Sequence, residues 1–235
     1  PQVSIPDQRI RGMEALIRWN HPSRGIVPPN EFIPIAEECG LITPINEWVL
    51  AAACRQATLW RASELPAVTM AVNLSARQIE HPLFVDKFIH CLRENGMDGQ
   101  GLEIEITEST LMRDMDGSIE KLRKLAELGV EISIDDFGTG YSSLSYLKKL
   151  PIHTLKIDRS FIHDLNGHMN NGTTIVAGIA AMAKGLNLNL VAEGVETRAQ
   201  LDYLRSLGCD AYQGYLFSRP VTVDKATEIL SRQRD

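Results

Sequence analysis

The chain has 235 residues, of which 44% are hydrophobic, and a chain of this size buries enough surface to form a substantial core. Its 17 glycines, 11 prolines and 23% charged residues are ordinary contents, which exclude disordered and fibrous proteins. It contains no run of the roughly 18 apolar residues that a membrane span needs. A net charge of -6 offers no basic surface for duplex nucleic acid, so we expect no DNA binding, although a local phosphate site stays open.

The four scattered cysteines, Cys39, Cys54, Cys91 and Cys209, form no CxxC pair. This usage predicts reduced core thiols of a cytoplasmic protein rather than a disulfide framework or a zinc ribbon. The chain begins at Pro1 without a methionine or a signal-peptide pattern, which is typical of a domain taken from a longer protein. No linker or low-complexity tract divides it, so we interpret residues 1–235 as one domain.

The amino-terminal residues predict an antiparallel hairpin. Val3–Ile5 and Ile10–Trp19 are extended runs joined by a turn over residues 6–8, and so short a connection requires antiparallel strands. Strand and helix patterns then alternate along the rest of the chain. Predicted strands cover residues 68–74, 102–107, 130–134, 154–157, 188–192 and 211–215. Predicted helices begin near residues 43 and 83 and cover 118–128, 173–184, 197–207 and 223–232, with a short one before Pro151.

Two helix starts carry specific signals. Thr43 and Pro44 fit the cap and first residue of a helix, and this helix has a predicted apolar face made of Ile45, Trp48, Val49 and Ala52. Ser75 and Gln78 have the spacing of a capping box. Alternating strands and helices imply parallel strands with right-handed crossovers. Periodicity alone leaves both an open doubly wound sheet and a closed barrel.

Polar side chains lie inside or directly after almost every predicted strand, where a strand covered on both faces would be apolar. They are Glu14, Asn73, Glu105, Asp135, Asp136, Lys156, Glu193 and Gln213. In a barrel, the carboxyl ends of the strands converge on one mouth. Five carboxylates would then face a single lysine, and two divalent cations would balance the excess charge. Oxygen ligands favour Mg²⁺ or Mn²⁺, and paired ions of this kind assist phosphoryl displacement. Taken singly, each carboxylate also fits a solvated strand end or a helix cap.

These residues occur in motifs that follow one another along almost the whole chain. The motifs are residues 14–19 with His21 and Pro22, 73–75, 105–108, 135–143, 156–158, 193–196 and 213–215. In this order and composition, the chain resembles the EAL-domain cyclic di-GMP phosphodiesterases. The resemblance implies a TIM-like (β/α) barrel with an antiparallel opening strand pair. It also implies Mg²⁺- or Mn²⁺-dependent hydrolysis of cyclic di-GMP to linear 5′-pGpG in bacterial second-messenger signalling.

The resemblance further implies roles for individual residues. One metal would be held by Glu14, Asn73, Glu105 and Asp135, and the second by Asp135, Asp136 and Glu193. Water between the two ions would be the nucleophile. Lys156 would contact this water or the reacting phosphate, and Gln213 would orient the catalytic water or the lysine network. Arg18 would clamp the phosphate. Glu108 would fasten the loop over residues 136–143, and Glu196 would support the site without binding metal.

Several alternatives stay open. The principal one is a receptor module that binds cyclic di-GMP without hydrolysing it, and another is a metal-dependent barrel enzyme with a different substrate. His163 and Asp164 invite comparison with His-Asp phosphohydrolases, but further spaced histidines are missing, so a loop after the Lys156 strand is favoured. For the rings of Trp19, Phe137 and Tyr215, core packing is favoured over base stacking.

The resemblance also bears on partners and on the barrel's opening edge. It implies a homodimer and a regulatory or cyclase-like domain on the amino-terminal side of a longer, sometimes membrane-anchored chain. The first strand of the family normally begins before the position of Pro1. We therefore expect an incomplete barrel with an exposed edge.

Overall fold

The computed structural model describes residues 1–111, 115–140, 147–166 and 171–233. Its strands are β1 (Gln2–Ser4), β2 (Ile10–Ala15), β3 (Trp19–His21), β4 (Gly25–Val27), β5 (Thr69–Asn73), β6 (Leu102–Thr107), β7 (Glu131–Phe137), β8 (Thr154–Ile157), β9 (Asn189–Ala192) and β10 (Ala211–Tyr212). Its helices are α1 (Pro29–Glu38), α2 (Ile42–Ala62), α3 (Ala76–Glu80), α4 (Phe84–Glu94), α5 (Glu108–Leu111), α6 (Met115–Glu127), α7 (Arg159–His163), α8 (Asn171–Gly185), α9 (Arg198–Ser206) and α10 (Val223–Ser231), with a 3-10 turn at Asp164–Asn166.

Eight strands form a closed barrel in the order β1-β10-β9-β8-β7-β6-β5-β2. Neighbouring strands are parallel except at β1, which is antiparallel to both β2 and β10. The predicted barrel with an antiparallel opening pair is therefore confirmed. The prediction of an incomplete barrel with an exposed edge is wrong, because Val3 pairs with Ile10 on one side and with Tyr212 on the other.

The period of two along the strands explains why charged residues occur within them. Leu102, Ile104 and Ile106 of β6 belong to the hydrophobic core cluster, while Glu103 and Glu105 alternate with them and so point to the opposite face. The same alternation separates Leu155 of β8 from its neighbour Lys156. The apolar core therefore lies between the strands and the surrounding helices, and the polar face forms the barrel interior.

The start and the buried face of α2 differ from the prediction. The helix begins at Ile42 after Leu41, so Thr43 and Pro44 lie inside its first turn. Trp48 is 61% exposed, whereas Leu50 and Ala53 are buried. The predicted apolar face is wrong for Trp48 but not for Val49, which packs against the core cluster. The most buried stripe of the helix contains Leu50, Ala53, Cys54, Ala57 and Trp60.

The capping box predicted at Ser75 is also wrong, since its side chain makes no capping hydrogen bond at the start of α3. The Ser75 hydroxyl instead accepts a hydrogen bond from the amide of Asn46 in α2 (3.0 Å). A capping box does occur at the start of α9, where Thr197 and Gln200 bond reciprocally.

Four other features differ from the sequence prediction. His163 ends α7 and Asp164 begins the 3-10 turn, so these residues are helical rather than a loop. Strand β10 has two residues where 211–215 was predicted, and α1 and the β3–β4 hairpin were not predicted. A short helix was predicted before Pro151, and residues 141–146 of that region lie outside the described residues. Among the described helices, none has the length and apolarity that crossing a membrane requires.

Candidate active site

The carboxyl ends of the parallel strands bring most of the predicted site residues together at one mouth of the barrel. Direct contacts link Glu14 of β2, Asn73 of β5, Glu105 of β6, Asp135 of β7, Lys156 of β8, Glu193 after β9 and Gln213 after β10. These residues are up to 199 positions apart in the sequence. The barrel topology therefore creates the cluster.

Lys156 lies at the centre of this cluster. Its Nζ atom is 2.6 Å from Oε1 of Glu105, 2.6 Å from Oε1 of Glu193 and 3.3 Å from Oδ1 of Asp135. The side chain is fully buried. Burial alone would lower the pKa of Lys156, but the surrounding carboxylates raise it well above its usual value. The residue is therefore an ammonium ion at neutral pH.

Two amides hold the carboxylate of Glu14. Nδ2 of Asn73 donates to Oε1 of Glu14 (2.8 Å) and to Oε2 of Glu105 (3.0 Å). Nε2 of Gln213 donates to Oε2 of Glu14. Both Glu14 oxygens are thus fixed by neutral donors. The Asn73 amide here presents nitrogen to the acids, so it would offer its oxygen to a cation only after a rotation of the amide group.

A second group of acids lies beside Lys156. One oxygen from each of Asp135, Asp136 and Glu193 lies within 4.8 Å of the others. The pKa of Asp136 is raised to about 6 by burial, by Asp135 and by Asp158, and that of Glu193 to about 7, chiefly by burial. The pKa of Glu105 is raised well above its ordinary value by burial and by Glu14. These shifts indicate more negative charge than Lys156 balances, which a bound divalent cation would correct.

Glu108 fastens the loop that follows β7. Its Oε2 atom accepts hydrogen bonds from the backbone N–H groups of Gly138 (3.2 Å) and Gly140 (3.3 Å). A Cβ atom on Gly140 would lie 2.8 Å from the Glu108 carboxylate, so glycine permits this close approach. Residues 141–143, the rest of the predicted loop motif, lie outside the described residues.

Arg18 and Glu196 are not in contact with the cluster in the described part of the chain. Arg18 is exposed, and its guanidinium donates to the carbonyl of Ile17 (2.7 Å). Glu196 is also exposed, and its backbone N–H donates to Oε1 of Gln200 (2.8 Å) at the start of α9. The role of Arg18 in binding the phosphate and the role of Glu196 in supporting the metal site stay predictions.

The sequence analysis missed three polar residues that adjoin the cluster. Gln2 of β1 is 1% exposed, and its amide donates to Oε1 of Glu105 (3.5 Å). Glu103 is buried two positions before Glu105 on the same face of β6. Asp158 caps α7 by accepting a hydrogen bond from the N–H of Ser160 (3.0 Å), and it contributes to the raised pKa of Asp136. The alternation Glu103-Ile104-Glu105 in the sequence could have indicated that Glu103 lies on the same strand face as Glu105. No feature of the sequence indicated that Gln2 adjoins the cluster.

Two of the three aromatic rings that were predicted to pack in the core are exposed instead. Phe137 is buried, as predicted, but Trp19 is 43% exposed and Tyr215 is 51% exposed. Trp19 makes edge contacts with His21 and Phe32. The guanidinium of Arg219 lies 4.3 Å from the centroid of the Tyr215 ring, a cation–π contact. The prediction that the rings of Trp19 and Tyr215 pack in the core is therefore wrong.

The fold and the site define a (β/α) barrel protein whose mouth carries an acidic cluster suited to divalent cations. Residues 1–220 match the family model described as EAL domain. The chain belongs to the EAL domain family.

Relatives and solved structures of this family share close similarity with the chain. It is 48% identical to the bifunctional diguanylate cyclase/cyclic di-GMP phosphodiesterase MucR of Pseudomonas aeruginosa over 96% of this chain and 33% of MucR. It is 43% identical to the cyclic di-GMP phosphodiesterase NbdA of the same organism over 100% of this chain and 30% of NbdA. The chain therefore spans about a third of the length of these relatives. A structure of the PaMucR phosphodiesterase in complex with c-di-GMP has a TM-score of 0.93 and 48% identity, covering 96% of this chain and 91% of the other.

Proposed function

We propose that this chain hydrolyses cyclic di-GMP to linear 5′-pGpG in a reaction that depends on Mg²⁺ or Mn²⁺. The observation that carries the proposal is the convergence of Glu14, Glu105, Asp135 and Glu193 with Lys156 at the barrel mouth. The names of MucR and NbdA, both relatives at more than 40% identity, support the substrate and the reaction.

We propose that this cluster holds two divalent cations, because its carboxylates outnumber the single Lys156 ammonium and offer oxygen ligands. We assign Glu14, Asn73, Glu105 and Asp135 to one ion, and Asp135, Asp136 and Glu193 to the other. The raised pKa values of Asp136 and Glu193 support the assignment, because they reflect carboxylates in need of a cation. The chemistry that such ions supply when bound is Lewis-acid stabilisation of phosphate oxygens and a lowered pKa for water.

The protein's own residues hold this arrangement in place. The Lys156 ammonium binds three carboxylates at once, so it opposes their repulsion and fixes their positions. Because its proton is strongly held, we assign it to orientation and charge stabilisation of the reacting phosphate and not to proton abstraction. Gln213 and Asn73 fix the two oxygens of Glu14. Arg18, on the exposed segment after β2, would bind the diester through its planar donors.

The test is chromatography of the nucleotide products formed by the purified protein. We expect 5′-pGpG with Mg²⁺ or Mn²⁺, none with excess chelator, and a loss of at least about 100-fold for Glu14→Ala. The matched control is Glu120→Ala, which removes an exposed carboxylate from α6, on the outside of the barrel, and should leave turnover unchanged. Hydrolysis by the chelated protein or by Glu14→Ala would reject the mechanism. Binding of cyclic di-GMP without turnover in any metal would support the receptor alternative.

We also propose that the chain works as part of a longer protein with a regulatory or cyclase-like domain on its amino-terminal side, and as a homodimer. The support for a longer protein is that MucR and NbdA are about three times as long as the matched segment. Light scattering of the purified chain at several concentrations tests dimer formation. A monomer mass at all concentrations would reject the dimer for this chain.

A further inference from the structure

An open cavity of about 330 Å³ lies between α2, α3 and α4, on the outside of the barrel. Among the described residues, those assigned to the metal site do not line it. Its volume falls within the range of roughly 300–1,000 Å³ that is typical of small-molecule sites. The cavity is therefore a candidate binding site that is separate from the proposed catalytic centre.

The deep part of the cavity is apolar and includes two aromatic rings. Leu50 of α2 and Phe84 and Phe88 of α4 line it, and all three are buried. The centroids of the two phenyl rings are 5.9 Å apart in an edge-to-face arrangement. A lining of this kind favours a ligand with a planar apolar ring.

Gln78 of α3 brings a polar group to this apolar lining. The residue is 6% exposed, and it lines the cavity. Within the described part of the chain, its Oε1 atom is buried and has no hydrogen-bond partner. A buried acceptor without a partner costs free energy, which a hydrogen-bond donor on a ligand would recover. The terminal amide of glutamine rotates easily, so either its oxygen or its NH₂ group can face a ligand.

His81 adds a hydrogen-bond donor three residues after Gln78. Its Nδ1 atom accepts a hydrogen bond from the backbone N–H of Leu83 (3.1 Å), so the neutral imidazole carries its proton on Nε2. His81 also lines the cavity. The residues around the cavity therefore supply both an acceptor and a donor.

The charged side chains that line the cavity are paired with one another. Nζ of Lys87 in α4 lies 2.7 Å from Oε1 of Glu47 in α2, so this partly exposed ion pair joins the two helices. Nε2 of His90 lies 3.1 Å from Oε1 of Glu94, one turn further along α4. Because these groups already have partners, the cavity does not select a charged ligand.

We propose that this cavity binds a small neutral molecule that consists of a planar ring and a carboxamide group. A carboxamide carries a donor beside an acceptor, so it complements the Gln78 amide in either orientation of that amide. Its ring would lie against Leu50, Phe84 and Phe88. A carboxylate lacks the donor that Oε1 of Gln78 requires, and a hydrocarbon lacks both groups.

NMR titration of the ¹⁵N-labelled protein with benzamide, benzoate and toluene tests the proposal. The samples contain neither metal nor nucleotide, so the result does not depend on the proposed hydrolysis. Benzamide should shift the backbone signals of Gln78 and Phe88 in a saturable way and bind about tenfold more tightly than benzoate, the effect of one well-made hydrogen bond. Absence of saturable shifts at these residues, or equal affinity for benzamide and benzoate, would overturn the proposal.

Gln78→Met removes the amide and keeps the length of the side chain. It should weaken benzamide binding about tenfold without weakening toluene binding. The matched control is Gln100→Met, which makes the same change at an exposed glutamine before β6 and should leave both affinities unchanged. If Gln78→Met does not fold, Ala51→Leu is used, because it enlarges a residue that lines the cavity and should abolish binding of both probes. Unchanged benzamide affinity in the variant that folds would overturn the proposal.

Discussion

The Nζ atom of Lys156 lies 2.6 Å from a carboxylate oxygen of Glu193, across the ends of β8 and β9. The lysine is fully buried and also contacts Glu105 and Asp135. A buried ion group of this kind costs desolvation energy and stabilises the fold only while its charges stay matched. Lys156 therefore serves both the stability of the barrel and the arrangement of the acids.

Lys156→Met should destabilise the protein by about 3–5 kcal/mol, because it leaves several buried carboxylates without their cation. Urea unfolding in the presence of a chelator measures this change. Added Mn²⁺ should recover part of the lost stability, since it supplies positive charge to the same carboxylates. Lys124→Met is the control, because Lys124 makes an exposed ion pair with Glu120 (2.8 Å) and should change stability little. A similar effect of the two substitutions would contradict this role for Lys156.

The stability of the metal-free protein should fall as the pH rises. The folded-state pKa values of Asp136 and Glu193 are raised to about 6 and about 7. The folded protein therefore binds more protons than the unfolded chain above the ordinary pKa of a carboxyl group. The stabilisation is complete below about pH 4 and is lost as the pH rises through 6 to 7.

Thermal unfolding of the chelated protein between pH 5 and pH 8 measures this dependence. Glu193→Gln should flatten the decline, because the amide does not titrate. Mn²⁺ should also flatten it, because the cation replaces the bound protons. An unchanged slope in Glu193→Gln would show that another group causes the decline.

Gly12 makes room for Gln2 next to Glu105. A Cβ atom at position 12 would lie 2.9 Å from Oε1 of Gln2, so Gly12→Ala should displace the amide that donates to Glu105. We expect a loss of about tenfold in Mn²⁺ affinity, the usual effect of disturbing a residue that orients a ligand. Titration calorimetry measures this loss.

Gly178→Ala is the matched control for Gly12→Ala. Position 178 lies in α8 with open space around it, and alanine there should stabilise the helix by roughly 0.5–1 kcal/mol. Unchanged Mn²⁺ affinity in Gly12→Ala would exclude a role for Gln2 in positioning Glu105.

Glu108→Ala should release the loop after β7, because Gly138 and Gly140 lose their shared acceptor. We expect a decrease of about tenfold or more in turnover, since Asp135 and Asp136 precede this loop and a small displacement of such groups is costly. Glu108→Gln keeps an acceptor oxygen and should retain more activity than Glu108→Ala. Equal activity of the two variants would show that the hydrogen bonds to the loop do not matter.

The positions of several strands were predictable from the sequence, because the pattern of apolar residues and the turn residues that flank it indicate the same strand ends. The bounds predicted for β6 and β8 match Leu102–Thr107 and Thr154–Ile157. Glu105 and Lys156 were recognisable as unusual because a strand covered on both faces is expected to be apolar throughout. Their convergence with Glu14 and Glu193 followed once the strands were assumed to form a barrel.

Other features depend on tertiary packing that local patterns do not encode. The buried face of α2 includes Ala53 and Trp60, whereas the equally large Trp48 is exposed. Ser75 bonds to Asn46 of a distant helix instead of capping its own. Gln2 reaches Glu105 only because β1 runs antiparallel beside Gly12. No signal in the neighbouring sequence indicates such contacts.

The number of divalent cations bound per chain tests the central claim most directly. Equilibrium titration of the nucleotide-free protein with Mn²⁺ should reach two ions per wild-type chain, by analogy with other two-metal sites for phosphoryl transfer. Asp135→Ala, which removes the ligand assigned to both ions, should abolish tight binding. Absence of stoichiometric binding by the wild type, or binding that Asp135→Ala leaves unchanged, would contradict the account.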